Sequence, residues 1–153
     1  MSFINPQGDP LDASYHQNQA LLALGSGGVT GIGYGRSVTK FDFLPEPIGD
    51  SIFAVIGEEL GFAATIGILL CFAVLVWRGF AIARSVSDSF GTALALGFTS
   101  IIGMQALINM SAISGLIPLT GLPLPFISYG GTALAVFLTM SGIMVNISKY
   151  RRK

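Results

Sequence analysis

The sequence predicts an all-α integral membrane protein with about three transmembrane helices, and two observations predict this fold class. Between Asp88 and Lys149 the chain has no Lys, Arg, Asp or Glu over 60 consecutive residues. Hydrophobic residues make up 52% of the 153-residue chain and charged residues only 10%, whereas soluble domains carry about one charge in four positions. Because one spanning helix needs about 20 apolar residues, the uncharged stretch suffices for two spans and a connection.

The predicted elements follow one another from a polar amino-terminal half to an apolar carboxyl-terminal half. The three spans cover residues 60–77, 90–113 and 129–147. Before them lies a large extracellular loop region with short helices, of which one is expected over 16–24 and another leads into the first span from Ser51. Trp77 and Arg78 form the aromatic and cationic anchor that is typical of a membrane interface, which predicts the end of the first span there.

The positions of the basic residues predict the orientation. Arg78 and Arg84 lie between the first two spans, and the tail after the third span carries Lys149, Arg151, Arg152 and Lys153. Basic residues favour the cytoplasmic side, so the carboxyl terminus is assigned to the cytoplasm and residues 1–50 to the outside. The amino terminus has no basic or apolar signal region to carry those polar residues across. The chain is therefore expected to be the carboxyl-terminal piece of a larger polytopic protein.

Two irregular segments stand out between the helices. Residues 25–35 read GSGGVTGIGYG, with six glycines in eleven residues, and glycine costs about 1 kcal/mol per helical position relative to alanine. This segment is predicted as a loop. Residues 115–131 hold three prolines and four glycines in a nearly all-apolar stretch. Irregular backbone at membrane depth is tolerated only when it is buried in protein or lines a cavity, which predicts a re-entrant outer loop.

Asp50 is the main candidate for chemistry, and two interpretations of it stand side by side. It precedes the run SIFAVIGEELGF, where an aspartate serves as a helix N-cap. Alternatively it is a general base at the membrane surface, kept as a carboxylate by the helix N-terminus. A two-carboxylate hydrolase is not favoured, because Asp50 and Glu58 would lie about 12 Å apart along a helix, beyond the roughly 5–9.5 Å that such pairs need. Glu58 and Glu59 are expected to cap or orient the first span.

The glycine loop is a second candidate site. Its backbone N–H groups at Gly25, Ser26, Gly27 and Gly28 would surround a phosphate, with charge supplied by Arg36 or Lys40; a flexible lid is the alternative. Formal net charge is zero, so no global field points to nucleic acid. The single histidine, His16, has no Cys or His neighbours, and no metal site of the zinc type is predicted.

Three sequence blocks together resemble a known family. They are YHQNQALLALGSGGVTGIGYGRSVTKFDFLPE (15–46), DSIFAVIGEELGF (50–62) and NMSAISGLIPLTGLPLPFISYGG (109–131). In this order they resemble the carboxyl-terminal part of the SEDS proteins (shape, elongation, division and sporulation) FtsW, RodA and SpoVE. That resemblance implies a ten-helix enzyme of the bacterial cell membrane that polymerises peptidoglycan glycan strands from lipid II. Residues 1–59 would form an extracellular loop region with the catalytic motif, and 60–153 the last three helices with a cytoplasmic basic tail.

The resemblance also implies site residues and partners. The family's essential aspartate maps onto Asp50, as candidate base, and a second acidic loop position onto Asp42. Further substrate-binding candidates in the matching blocks are Glu46, Ser128 and Tyr129. No resident cofactor is evident. Independently of the resemblance, we expect Lys40, Arg36 or a divalent cation (Mg or Mn) to stabilise the pyrophosphate leaving group. One departure is that Gly49 stands where the family commonly has Thr before the aspartate.

Three functions remain open from the sequence. The first is a peptidoglycan glycosyltransferase of cell division or cell-shape maintenance, incomplete as this chain, which acts on lipid II and the nascent glycan strand. The second is a lipid II flippase. The third is a non-catalytic membrane scaffold for a class B penicillin-binding protein, the transpeptidase. In each case the partners are membrane proteins of the divisome or the elongation complex, and no nucleic acid is involved.

The expected missing helices make a first prediction. The DNA upstream of Met1 should contain an open frame that encodes several apolar spans, because the polar residues 1–50 need preceding helices to place them outside. Sequencing of that region checks this, and a stop codon directly before Met1 with no helical frame nearby would contradict it.

Overall fold

The computed structural model describes residues 13–35 and 51–150, and the regular elements within those ranges are helices. They are α1 (Ala13–Ser26), α2 (Ile52–Ser85), α3 (Ser89–Ile113) and α4 (Gly131–Ile147), followed by a 3-10 turn at Ser148–Tyr150. Within the described ranges, α2, α3 and the segment Gly131–Tyr150 are each long and apolar enough to cross a membrane. This confirms the predicted all-α membrane fold with three spans.

α2 differs most from its prediction. It has 34 residues and a break at Gly61, whose φ of 78° and ψ of −175° are not helical. The first half, residues 52–60, is the expected approach helix. The helix itself continues past the predicted end of the span at Trp77 and ends at Ser85. The Arg78 guanidinium lies 5.7 Å from the centre of the Trp77 ring, and such an anchor is typical of a membrane interface without ending a helix.

The other predicted elements need only small corrections. α3 begins at Ser89 instead of residue 90 and ends at Ile113 as predicted. α4 begins at Gly131, two residues later than expected, because Gly130 is extended at φ −164° and ψ 101°. The short amino-terminal helix α1 is longer than the predicted 16–24 and includes Gly25 and Ser26.

The three long helices pack in alternating directions with α3 against both others. α3 supplies a buried stripe with helical spacing at Ile102, Ala106, Met110 and Ile113. Two glycines bring α2 close to α3, because a Cβ at Gly79 would meet the Thr99 side chain and one at Gly103 would meet Val76. Small residues of this kind permit the close helix approach that membrane helices use in place of a hydrophobic driving force.

The two ends of the bundle differ in charge. The turn between α2 and α3 is closed by Asp88, whose Oδ2 accepts a hydrogen bond of 2.8 Å from Gly91 N at the start of α3. Arg78, Arg84 and Lys149 lie at this end, which we call the basic end. The opposite end, the loop end, holds α1, the start of α2 and the end of α3, since Leu21 of α1 lies 3.3 Å from a Cβ placed on Gly115.

Much of the helix surface between these ends is apolar and exposed. Within the 18-residue apolar windows of the three spans, only 17%, 33% and 11% of the residues are buried. The exposed side chains include Leu70, Val74, Met104, Leu107 and Val145. A helix that is apolar on all sides is typical of a bilayer, so these faces are matched to lipid or to further membrane helices.

The tight crossing at Gly79 makes a prediction about stability. Gly79→Ala should lower the free energy of unfolding by about 1–3 kcal/mol, because the new methyl group overlaps Thr99 and lies 3.0 Å from Met144 Cε. Gly97→Ala on α3 is the matched control, since a Cβ there has nothing within 4 Å and alanine favours a helix by about 1 kcal/mol. Thermal unfolding in detergent, followed by circular dichroism, measures both; equal stabilities would contradict the packing.

Candidate functional site

The break in α2 leaves backbone groups without their helical partners. In a continuous helix Phe62 N would donate to Glu58 O and Ala63 N would donate to Glu59 O. The conformation of Gly61 separates these pairs. Unpaired backbone groups at membrane depth each cost several kcal/mol, so a break is stable only when other groups replace the lost bonds.

The glycine loop supplies those groups. We call residues 27–33 the glycine strap; it crosses α2 at the break and both donates and accepts there. Its own bend is closed by Gly31 N donating to Gly27 O at 2.7 Å. The four bonds across the break are Ile32 N to Glu58 O (3.0 Å), Gly33 N to Glu59 O (3.1 Å), Phe62 N to Gly28 O (3.0 Å) and Ala63 N to Val29 O (3.4 Å). Both donors and both acceptors freed by the break are thereby paired.

Glycine is required on both sides of this contact. Gly31 has φ +77° and Gly61 has φ +78°, in the region that residues with a side chain rarely adopt. A Cβ at Gly31 would overlap Glu59 O, and one at Gly61 would overlap the strap backbone at Gly31 N. A Cβ at Gly27 would overlap Gly57 O. The strap can therefore lie directly on the helix backbone only because no side chain intervenes.

Two carboxylates are buried beside the strap. Glu58 is 2% exposed and Glu59 is 6% exposed. Their backbone carbonyl groups accept the strap's hydrogen bonds. The expectation that the two side chains cap or orient the first span stays a prediction. The Oε1 atom of Glu59 has no hydrogen-bond partner within residues 13–35 and 51–150, which leaves a buried acceptor at this point of the loop end.

A second irregular element is held by polar side chains of α3. Asn109 Nδ2 donates to Leu122 O at 2.7 Å, and Gln105 Nε2 donates to Pro123 O at 3.1 Å. These bonds hold residues 122–128, which we call the apolar turn. Gln105 lies eight residues before the end of α3, which is about 12 Å back along the helix axis.

The apolar turn is buried against the helices. Leu124 is 1% exposed, and its N–H donates to Ser128 Oγ at 2.7 Å. Phe126 has a φ of 66°, and its ring centre lies 5.7 Å from that of Phe137 on α4. The segment between α3 and α4 thus packs back against the helices. Its predicted place as a re-entrant outer loop in the membrane stays a prediction.

The predicted site residues that precede α2 fall into three groups. Gly25 and Ser26 form the last turn of α1, where Ser26 Oγ donates to Ala23 O at 2.8 Å. Gly27 and Gly28 lie in the strap. The remaining loop candidates lie outside the described residues; they are Arg36, Lys40, Asp42, Glu46 and Asp50. The structure therefore places the described part of the predicted phosphate loop directly against α2.

Three of the strap's backbone donors are in use. The N–H groups of Gly31, Ile32 and Gly33 all donate to backbone carbonyl groups, so they are not available to a phosphate. The phosphate contacts predicted for residues 25–28 stay a prediction. The structure places the N-cap position of α2 at Ser51, which is fully buried and whose backbone oxygen accepts from Ala54 N at 2.9 Å. Both interpretations of Asp50, which lies outside the described residues, stay predictions.

Ser128 and Tyr129 have different environments. Ser128 is 8% exposed, and its hydroxyl accepts the Leu124 N–H inside the apolar turn. Tyr129 is 84% exposed, so its side chain projects from the described part of the protein. Binding by either residue stays a prediction, but Ser128 already has a structural role.

The sequence interpretation missed the break at Gly61. A signal for it was present, since Gly57 and Gly61 form a G-x-x-x-G pattern that permits close backbone approach. No cluster of three or more His, Cys, Asp or Glu that would hold a metal occurs within residues 13–35 and 51–150. The cation predicted to assist the pyrophosphate stays a prediction.

Three long apolar helices that pack in alternating directions, a strap over a broken helix and a folded-back apolar turn define a polytopic membrane protein. Residues 1–153 match the family model described as "Cell cycle protein", the FtsW/RodA/SpoVE family. The chain belongs to this family.

Relatives within the family are close in sequence. The chain is 47% identical over 151 residues to Stage V sporulation protein E of Bacillus subtilis (strain 168), covering 99% of this chain and 41% of that protein. It is 47% identical over 128 residues to the probable peptidoglycan glycosyltransferase FtsW of the same organism, covering 84% of this chain and 32% of that protein. It is 39% identical over 153 residues to the peptidoglycan glycosyltransferase MrdB of Escherichia coli (strain K12), covering 99% of this chain and 41% of that protein. The chain thus spans about two fifths or less of these relatives.

Solved structures share the fold. One comes from work titled "Structural coordination of polymerization and crosslinking by a peptidoglycan synthase complex"; it has a TM-score of 0.78 and 28% identity and covers 97% of this chain and 40% of that chain. The other is the rod shape determining protein RodA of Thermus thermophilus, in a mutant form, with a TM-score of 0.65 and 30% identity. It covers 88% of this chain and 40% of that chain.

The Ser128 hydroxyl makes a prediction about the apolar turn. Ser128→Ala should leave the buried Leu124 N–H without an acceptor, at a cost of about 1–3 kcal/mol, and speed amide hydrogen exchange over residues 122–128. Thr139→Ala is the control, because the Thr139 hydroxyl donates to Ala135 O on an exposed helix face. Mass-spectrometric hydrogen exchange compares them, and equal exchange in the two variants would refute the role of Ser128.

Proposed function

We propose that this chain is the carboxyl-terminal part of a peptidoglycan glycosyltransferase that polymerises glycan strands from lipid II. The observation that carries the proposal is the family match over the whole chain, with relatives named for that activity. The described site is compatible with it. α2 begins directly after the candidate base Asp50, and its first half is fixed by the glycine strap.

The proposed reaction is a glycosyl transfer. A sugar hydroxyl oxygen of the acceptor attacks the anomeric carbon of the donor sugar, and a new glycosidic C–O bond forms. The bond between that carbon and the pyrophosphate oxygen breaks, and the lipid pyrophosphate leaves with the bonding electron pair. The carboxylate of Asp50 takes the proton from the attacking hydroxyl. The N-terminus of α2, one residue further on, favours the negative charge that a base needs.

The leaving pyrophosphate needs positive charge. Arg36 and Lys40 follow the strap within seven residues and are the proposed source, together with a divalent cation. Acidic side chains at Asp42 and Glu46 would hold that cation or orient the substrate. These roles come from the residue types and their place in the chain, between the strap and the start of α2.

The proposed setting is the bacterial cell membrane. Arg78, Arg84 and Lys149 lie at the basic end, which supports a cytoplasmic carboxyl terminus by the distribution of positive charge. The loop end, with residues 1–50, would then face outward. The proposed partner is a class B penicillin-binding protein, because one structural relative comes from a complex that coordinates polymerisation with crosslinking.

Asp50→Asn tests the proposal directly. The amide cannot accept the proton, so polymerisation of lipid II by the full-length protein with its transpeptidase should fall by about 100-fold or more. Asp88→Asn is the matched control, since Asp88 lies at the basic end and an asparagine oxygen still caps α3. Glycan products separated by gel electrophoresis give the rate.

The control also separates the alternatives. Asp88→Asn should polymerise like the parent protein, and both variants should bind the transpeptidase in a pull-down. Retained polymerisation by Asp50→Asn would exclude Asp50 as the base. If the parent protein transports lipid II across the membrane but does not polymerise it, that result would instead favour the flippase.

A further inference from the structure

The first half of α2 is a short, buried helix whose direction is fixed by its surroundings. Ser51 and Ala54 are fully buried, and Phe53 and Val55 are 6% and 4% exposed. Leu24 of α1 packs directly on Gly57, where a Cβ would overlap Leu24 Cδ2. This half therefore has contacts of its own and is not merely the exposed beginning of a span.

The backbone groups at the break have two possible arrangements. With the strap in place, Glu58 O and Glu59 O accept from the strap, and Phe62 N and Ala63 N donate to it. Without the strap, the same four groups are correctly placed to pair with each other in a continuous helix. The strap and the bend in α2 therefore stabilise one another, and removal of either favours a straight α2.

Straightening would move the residue that follows Asp50. The first half has nine residues and is about 13 Å long, so each 10° of change in its direction displaces its start by about 2 Å. A misplacement of about 1 Å in a reacting group costs on the order of 100-fold in rate. Asp50 is joined directly to Ser51 at that start, and so its position depends on the direction of this short helix.

We propose that the glycine strap and Gly61 form a positioning unit for Asp50, and that Gly31 and Gly61 are positioning residues of the glycosyl transfer. This inference rests on the proposed function, since it takes Asp50 as the base. Gly33 N of the strap is bonded to Glu59 O, and Ser51 stands at the N-cap position of the same short helix.

Three variants of the full-length protein test the positioning unit. Gly61→Ala disfavours φ +78° and places a methyl group on the strap; Gly31→Ala does the same from the strap side against Glu59 O. Gly67→Ala, in the second half of α2, is the matched control, because a Cβ there has nothing within 4 Å. Gly31→Ala leaves the sequence of α2 intact. It therefore still tests the positioning role if Gly61→Ala does not assemble in the membrane.

Two measurements are made on each variant. Hydrogen exchange over residues 27–33 and 58–63 reports strap docking, and the pH profile of kcat reports the base. Gly61→Ala and Gly31→Ala should exchange faster in both segments and lose about 100-fold in kcat. The decrease of kcat at low pH, which reflects protonation of the base, should become shallower. A smaller folded fraction would instead lower kcat by the same factor at every pH. Gly67→Ala should match the parent protein in both measurements.

The outcomes distinguish this inference from the proposed function. If the glycine variants exchange faster over the strap but keep the kcat and pH profile of the parent protein, the positioning role is overturned and Asp50 remains the base. Unchanged exchange in both glycine variants would also overturn it, because docking would then not need either glycine. Retained polymerisation by Asp50→Asn would instead defeat the catalytic assignment itself.

Discussion

The structure depends on one constraint, which is that backbone polar groups near lipid must find partners inside the protein. α2 breaks at Gly61, and the glycine strap replaces the lost helical bonds pair for pair. The apolar turn meets the same constraint differently, since Gln105 and Asn109 donate side-chain hydrogen bonds to its carbonyl groups. Irregular backbone is present at both places because a specific neighbour satisfies it, and both places lie toward the loop end.

Glycine determines how closely these parts approach. At the strap, the absence of a side chain lets loop backbone lie on helix backbone, while Gly79 and Gly103 bring α2 close to α3 by the same means. The outer faces of the helices carry large apolar side chains instead. Packing inside the bundle thus uses small residues, and the surface that lipid or further helices cover uses large ones, as expected where the hydrophobic effect does not drive helices together.

Much of this fold was readable from the sequence, and the failures have physical causes. The uncharged stretch after Asp88 gave the second and third spans nearly to the residue, because a bilayer excludes charge over its full thickness. Trp77 and Arg78 predicted the end of the first span, and α2 continues beyond them as a helix to Ser85, because an interface anchor does not end a helix. Six glycines predicted a loop, but its partner on α2 is a three-dimensional contact between backbones that composition does not encode. Asp50 was a candidate from its place before the run SIFAVIGEELGF, where a helix cap was the alternative, and the family resemblance then mapped the essential aspartate onto it.

The partners of the two irregular elements are arranged in the order in which the chain is made. The strap precedes α2 in the sequence, so the groups that satisfy the break already exist when α2 reaches the membrane. The apolar turn takes its hydrogen bonds from Gln105 and Asn109 of the preceding helix and from its own Ser128. α3, the turn and α4 can therefore enter the bilayer as one hairpin that brings its polar partners with it, and no later segment has to arrive to relieve an exposed carbonyl group.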